Sequence, residues 1–427
     1  MLPAGDILVN LDSPINISDM PAYFLTARQA ADTLGVTRAT LYAYTSRGQL
    51  RSEPVPGQPR ERRYYREDVE RLKARKVARR DPANAAAHGL HWGEPVLESG
   101  ITLIHGDTFY YRGHDAVQLA GAASVEDVAA LLWGAGEAER ARLFDQPAIL
   151  DTRRLTQLAR LSPDARTLLQ AALPIAGAAD VASLDLRPAA VRATGARIVR
   201  LATSIVTGRN ATGPIHRALQ QAWSPKRSGV ADVIRTALVL CADHELNISA
   251  FAARCAASAG ASPYDVVSAA LATLKGHKHG GASERALSVV RQADSPRSAR
   301  SAVIERLRHG ERLPGFGHPL YPNGDPRAGV LIRLAEASGN DAAWRPFRHL
   351  AKAGIELLND EPNLDFGLAA ITRAYRLPDE APFLLFAIGR TIGWMAHAME
   401  EYASGHLIRP RARYTGPMPA SRLSQDR

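Results

Sequence analysis

From Ser124 to about Tyr402, apolar residues recur at helical spacing, broken at glycine and proline clusters, which predicts a chain of packed helices. Ahead of it, Gly100–Asp107 and Thr108–Gly113 alternate apolar and polar positions, predicting a hairpin. Nearer the N-terminus, Leu25–Leu34 predicts a short helix capped by Thr26. Gly35-Val36 then turns the chain, and Thr37 caps a second helix from Arg38 to Ser46. Pro54, Pro56, Gly57 and Pro59 punctuate a wing-like segment. It leads through Arg62-Arg63-Tyr64-Tyr65-Arg66 into a basic helix from Glu67 to Arg80. Residues 1–20 read as a flexible leader, 81–93 as a linker and 417–427 as a polar, mobile tail.

Several polar residues stand out against this pattern. Arg390 interrupts the apolar run Phe386-Ala387-Ile388-Gly389-Arg390-Thr391-Ile392-Gly393-Trp394, and a charge there demands an anionic partner. Its neighbours Gly389 and Gly393 are read as close-packing positions. Asp243-His244-Glu245-Leu246-Asn247 is expected to open a helix with His244 and Asn247 on one face. His279 lies among Gly276, Gly280 and Gly281, whose freedom would let backbone amides approach a ligand. Gly315-Phe316-Gly317-His318 predicts a turn. Asp325-Pro326-Arg327 predicts a helix start, because proline loses nothing at the first helical position. Asp365 stands at another helix start, where a carboxylate is favoured and stays ionised.

Composition narrows the classes. With 427 residues, 46% hydrophobic and 22% charged, the chain can bury a sizeable core in two or three domains. No uncharged apolar run of about 18 residues predicts a membrane span, and Asp6 and Asp12 without a basic leader argue against a secretory signal. Two cysteines, Cys241 and Cys255, give no disulfide framework, so a cytoplasmic setting is expected. Residues 21–80 carry 14 Lys/Arg against 6 Asp/Glu, a net +8 of the chain's +10. One small module is strongly basic, and the rest is near neutral. That asymmetry predicts two jobs or a regulatory attachment.

Two histidines and a carboxylate on separate turns, with arginines nearby, supply what is needed to deprotonate a carbon acid and add the enol to a carbonyl. In order along the chain stand Tyr111-Arg112-Gly113-His114, Asp243-His244-Glu245-Leu246-Asn247, His279-Gly280-Gly281-Ala282, Gly315-Phe316-Gly317-His318, Asp325-Pro326-Arg327, Asp365-Phe366, Gly389–Trp394 and Arg409-Pro410-Arg411. Residues 94–416 thereby resemble the citrate synthase family. The resemblance implies a mainly α-helical two-domain fold, its small domain at roughly 245–350, working as a homodimer or higher homo-oligomer. It implies an acyltransferase that condenses acetyl-CoA, a co-substrate, with oxaloacetate to citrate and CoA in the tricarboxylic acid cycle, with no further cofactor. His279 would donate to the thioester oxygen, Asp365 would take the methyl proton and His318 would polarise the keto group. His244, Asn247, Arg327 and Arg390 would hold oxaloacetate, joined by Arg409 from the partner subunit. No metal is expected: His277/His279 lack a Cys or acidic partner at ligand spacing.

Three departures from the family pattern change the expectations. His277 replaces a usual proline and loosens the His279 loop. Pro322 replaces a commonly basic residue that touches CoA phosphate in family members, so Arg312 or another cation would have to take over that contact. Gly367-Leu368 stands where relatives carry Tyr-Ser, which suggests a roomier acyl pocket and keeps 2-methylcitrate synthesis from propionyl-CoA as an alternative. Residues 21–80 resemble the winged helix-turn-helix module of the MerR family, which implies DNA contact through Arg38, Arg47, Arg62 and Arg63. A regulator sensing oxaloacetate or acyl-CoA through a synthase-like domain is the alternative from another class.

Overall fold

The computed structural model describes residues 24–55, 58–66, 68–69, 72–73, 97–227, 229–412 and 414–417. The expected leader, the linker, most of the basic helix and nearly all of the tail lie outside the described residues. The chain divides into two compact units, Met1–Glu98 and Ser99–Arg427.

In the first unit, strands β1 (Phe24–Thr26), β2 (Ser52–Val55) and β3 (Gln58–Tyr65) form an antiparallel sheet in the order β1-β3-β2. Leu25 pairs with Tyr64 in this sheet, so the first helix starts at Ala27 rather than at Leu25. Thr26 caps it in a reciprocal box: its Oγ1 accepts the Gln29 N–H at 3.2 Å, and Gln29 Oε1 accepts the Thr26 N–H at 3.0 Å. Gly35, at φ 59°, takes the left-handed turn that ends the helix, and Thr37 caps Arg38–Ser46. Leu25, Leu34, Leu41, Leu50, Tyr64 and Val69 close a small core of their own.

The second unit opens on a meander of strands β4 (Thr102–His105), β5 (Thr108–Tyr111) and β6 (His114–Asp115). The rest of its regular structure is helical. The Ala381–Ser404 helix is apolar on nearly every side, so it must run through the interior. It packs against the helices Pro188–Thr207, Val230–Cys241, Ile248–Ser258 and Pro263–Leu274. Two glycines make the approach possible. A Cβ on Gly389 would lie 2.7 Å from the Leu238 carbonyl oxygen, and one on Gly393 would lie 2.4 Å from that of Ala242.

A second group of helices pairs Pro326–Ala337 with Leu364–Ala374, and Pro296–Arg308 with Asp341–Leu358. Phe316, Phe347 and Phe366 meet edge to face at its centre, with ring centroids 5.3 Å apart. Between Gly136 and Arg200, where the sequence suggests no chemistry, two buried arginines do structural work. Arg197 pairs with Asp180, and Arg200 donates to the carbonyls of Phe144 and Gly213. Among the described residues, no helix is long and apolar enough to cross a membrane, and both cysteines are free.

Candidate active site

Residues 243–247 form a loop, not the expected helix opening. Glu245 sits at φ 54°, which no right-handed helix accommodates, and the next helix begins at Ile248. Asn247 is its N-cap, its Oδ1 accepting from the backbone N–H groups of Ser249 and Ala250 at 3.1 Å. His244 and Asn247 therefore do not share a helix face. His244 is buried instead, its Nε2 2.9 Å from the Tyr321 hydroxyl and its ring edge-on to His318 at 5.1 Å. Burial, with the nearby Arg327 charge, holds its pKa well below the ordinary value.

His318 reaches this cluster from a turn docked onto residues 361–363. Gly317 N–H donates to the Glu361 carbonyl at 2.8 Å, and Asn363 N–H donates to that of Gly315 at 2.9 Å. Gly315 needs its φ of 87°, and a Cβ there would crowd Phe366 at 3.2 Å. The Leu320 N–H donates to His318 Nδ1 at 3.2 Å, so the proton of the neutral ring sits on Nε2. Burial and the Arg327 charge push the His318 pKa down to about 4.

Asp325 caps the Pro326–Ala337 helix as expected and grips Arg327 in a fork, Nε to Oδ1 at 2.9 Å and Nη2 to Oδ2 at 2.8 Å. Asp325 Oδ2 also accepts the Leu364 N–H at 3.0 Å, which ties this helix start to the one carrying Asp365. Asp365 does not keep the ordinary acidity expected of a helix N-terminus. Burial pushes its carboxyl up to about 6, against the Ser283 hydroxyl and the Arg327 charge, which pull it down.

Ser283, which donates to Asp365 Oδ1, lies four residues beyond His279, on the helix that follows the His279 turn. The His279 turn and the start of the Asp365 helix are thus joined. His279 Nε2 is 2.9 Å from Ser249 Oγ, which also accepts from Trp394 Nε1–H at 3.1 Å. The single Ser249 proton has two acceptors in reach, Asn247 Oδ1 at 2.7 Å and His279 Nε2. When it goes to His279, the ring proton sits on Nδ1. Burial, reinforced by Arg390, lowers the His279 pKa to about 4. The glycine beside it serves packing more than ligand approach: a Cβ on Gly280 would lie 2.7 Å from the Leu274 carbonyl oxygen.

Arg390 projects from the middle of the Ala381–Ser404 helix and is 1% exposed. Its Nε donates to the Cys241 carbonyl at 2.8 Å and its guanidinium lies 4.7 Å from the Phe386 ring centroid, but Nη2 is buried with no hydrogen-bond partner. Burial lowers its pKa, partly offset by the Asp243 carboxylate. The anionic partner anticipated from the sequence is therefore not a hydrogen-bonded side chain. A buried cation with an unpaired N–H carries a desolvation cost that a bound anion would offset.

His244, His318, Arg327 and Asp365 thus share one neighbourhood, with Arg390 acting on both His244 and His279. Other expected site residues stand apart. Arg409 and Arg312 are exposed outside regular structure, and Pro322 is exposed next to Asn323, which donates to Asp107 at 3.3 Å. Gly367 does not enlarge a pocket. A Cβ there would meet Leu331 Cβ at 2.9 Å, so the space beside it is filled by the neighbouring helix. In the first unit, Arg38 and Arg47 are exposed, whereas Arg63 pairs with Glu53 and Arg62 donates to Ser52.

Uncharged imidazoles, a carboxylate of raised pKa and a buried arginine with an N–H to offer suit acid–base chemistry on an anionic substrate. Residues 89–411 match the family described as "Citrate synthase, C-terminal domain", and residues 24–77 match "Helix-turn-helix domain". The chain belongs to the citrate synthase family, and acyl-transfer catalysis of that type goes with it. It is 33% identical to a citrate synthase of Haloferax volcanii, covering 76% of this chain and 94% of that one. It is 31% identical to a 2-methylcitrate synthase of Mycobacterium tuberculosis, covering 72% and 84%. The crystal structure of citrate synthase from Thermotoga maritima superposes with a TM-score of 0.67 at 25% identity, covering 77% and 95%.

Proposed function

We propose that the chain condenses acetyl-CoA with oxaloacetate to give citrate and CoA. The observation that carries this reading is Arg390 Nη2, a buried donor without a partner beside His244 and Arg327, as a dianionic acceptor requires. His244 and Arg327 complete the grip, with Arg409 of a partner subunit added in a homodimer. Asp365 takes a proton from the acetyl-CoA methyl group while His279 Nδ1–H donates to the thioester oxygen, so that an enol forms. One preorganised donor of this kind contributes about 2.7–4 kcal/mol. The enol carbon then bonds to the keto carbon of oxaloacetate as the enol oxygen returns its proton to His279. The keto oxygen, polarised by His318 Nε2–H, takes up one proton from solvent, and Asp365 releases the methyl proton to solvent. Water cleaves the resulting thioester, releasing citrate and CoA. Both imidazoles act as neutral donors, in keeping with pKa values lowered to about 4.

A second donor, propionyl-CoA, is favoured by the 31% identity to a 2-methylcitrate synthase. Thiol release from each acyl-CoA with oxaloacetate decides between them. Faster release from acetyl-CoA is expected, preferential release from propionyl-CoA would reassign the enzyme as a 2-methylcitrate synthase, and no release from either would overturn the reading. The helix-turn-helix unit is read as a DNA contact through the exposed Arg38 and Arg47, in a cytoplasmic protein; Arg62 and Arg63 are already engaged within the wing. Gel-shift titration with and without oxaloacetate tests this. Ligand-dependent affinity would mark a sensor.

A further inference from the structure

Behind the oxaloacetate cluster lies a buried polar chain that has no part in the reaction as written. Asp243, adjacent to His244, is fully buried. Its Oδ2 accepts from Thr102 Oγ1 at 2.5 Å, and its Oδ1 lies 3.2 Å from Nε2 of His397, itself fully buried, a close contact without the alignment of a hydrogen bond. The Asp243 backbone is fixed as well: its carbonyl accepts from the Tyr111 hydroxyl at 3.0 Å, and its N–H donates to that oxygen at 3.1 Å.

His397 is oriented in turn. Its Nδ1 accepts from Arg254 Nε at 3.0 Å, so that nitrogen carries no proton and the ring N–H is on Nε2, the nitrogen nearer Asp243. Arg254 is held by Glu401 at 3.1 Å and by Glu400, which also accepts the Gly100 N–H at 2.9 Å. Gly393 leaves room for the carboxylate, since a Cβ there would lie 2.4 Å from Asp243 Oδ1.

Asp243 is also the main anion acting on Arg390, yet no hydrogen bond joins them. The carboxylate offsets part of the burial cost of the guanidinium while leaving Nη2 to a ligand. We propose that His397 is a positioning residue for oxaloacetate: held by Arg254, it helps fix the Asp243 carboxylate, and through it the His244 loop. The inference rests on the oxaloacetate reading above. It adds that affinity for the acceptor depends on a side chain that touches no substrate.

Oxaloacetate binding to the full-length protein, measured by calorimetry, tests it without relying on turnover. His397→Ala should raise the Kd about tenfold to a hundredfold, the range for groups that support a ligand shell. The KM for acetyl-CoA should stay within about twofold, since the acyl-CoA groups lie outside this chain of contacts. His397→Gln, which can place an N–H where Nε2 stood, should recover most of the affinity. A merely structural role would lower the melting temperature and leave the Kd of the folded protein unchanged, and that result would overturn the proposal. Should His397→Ala not fold, Thr102→Val decides: a rise in Kd of several-fold supports the proposal and an unchanged Kd defeats it. Wild-type protein that binds no oxaloacetate would defeat the functional reading itself, and that failure shows in the control before any variant is compared.

Discussion

Arg327 and Arg390 are both buried cations, at 3% and 1% exposure, and the fold treats them in opposite ways. Arg327, on the turn-borne side of the site, is neutralised by a two-pronged pair with Asp325 that also caps two helix starts. Arg390, on the core-borne side, has a carbonyl, an aromatic face and a carboxylate without a hydrogen bond. The difference lies in how each cation is presented. Arg327 is held in place by its own carboxylate before any ligand arrives, while Arg390 keeps an N–H without a protein partner.

The largest effect should come from the turn-borne side, at the base. Asp365→Asn removes the proton acceptor and should lower kcat by about 10²–10⁴-fold, the usual weight of a positioned general base. In the wild type, log kcat/KM should fall on the acid side with an inflection near pH 6, where burial has pushed the Asp365 carboxyl. The imidazoles, lowered to about 4, should add no limb above pH 5. The stability sign follows from the same shift. A carboxyl whose folded pKa is raised binds its proton better in the folded state. Its ionisation therefore costs stability, beginning near pH 4 and complete above about 6, by up to about 3 kcal/mol. Asp365→Asn should be free of that loss, so the unfolding midpoints of the two proteins should diverge between pH 4 and 7.

The arginine pair offers the sharpest test of the comparison. Arg327→Leu strands the Asp325 carboxylate in the interior and should destabilise by about 3–5 kcal/mol in urea unfolding. Arg390→Leu removes a cation that the protein itself only partly compensates. Its unfolding free energy should change by no more than about 1 kcal/mol, while the KM for oxaloacetate rises about a hundredfold. Equal losses of stability in the two variants would erase the distinction between them.

Features set by a few adjacent residues were legible in the sequence. Thr26 caps a helix, Asp325-Pro326 opens one, and Gly389 and Gly393 permit close helix contact. Features that depend on distant partners were not. Ser249 and Ser283 meet His279 and Asp365 across 30 and 82 residues, and an isolated serine carries no signal of such a meeting. The helix expected at Asp243 failed because Asn247 is the stronger start signal and Glu245 takes a left-handed conformation before it. The raised pKa of Asp365 was invisible for the same reason: the local dipole favours the charge, but burial by other segments outweighs it.

Gly367 gives the smallest effect and turns on the same contrast between packing and site. In sequence it looks like a residue that widens the acyl pocket. In the fold it is the point where the Leu364–Ala374 and Pro326–Ala337 helices touch, with Leu331 Cβ 2.9 Å and Ala328 Cα 3.3 Å from where a Cβ would stand. Gly367→Ala should therefore act on the turn-borne helices and not on substrate choice. Overpacking of this size costs about 1–3 kcal/mol, readable as a lower melting temperature. The ratio of kcat/KM for acetyl-CoA over propionyl-CoA should be unchanged. If the ratio moves while the melting temperature does not, the space beside Gly367 belongs to the acyl pocket after all, and donor selection must be sought on that helix face.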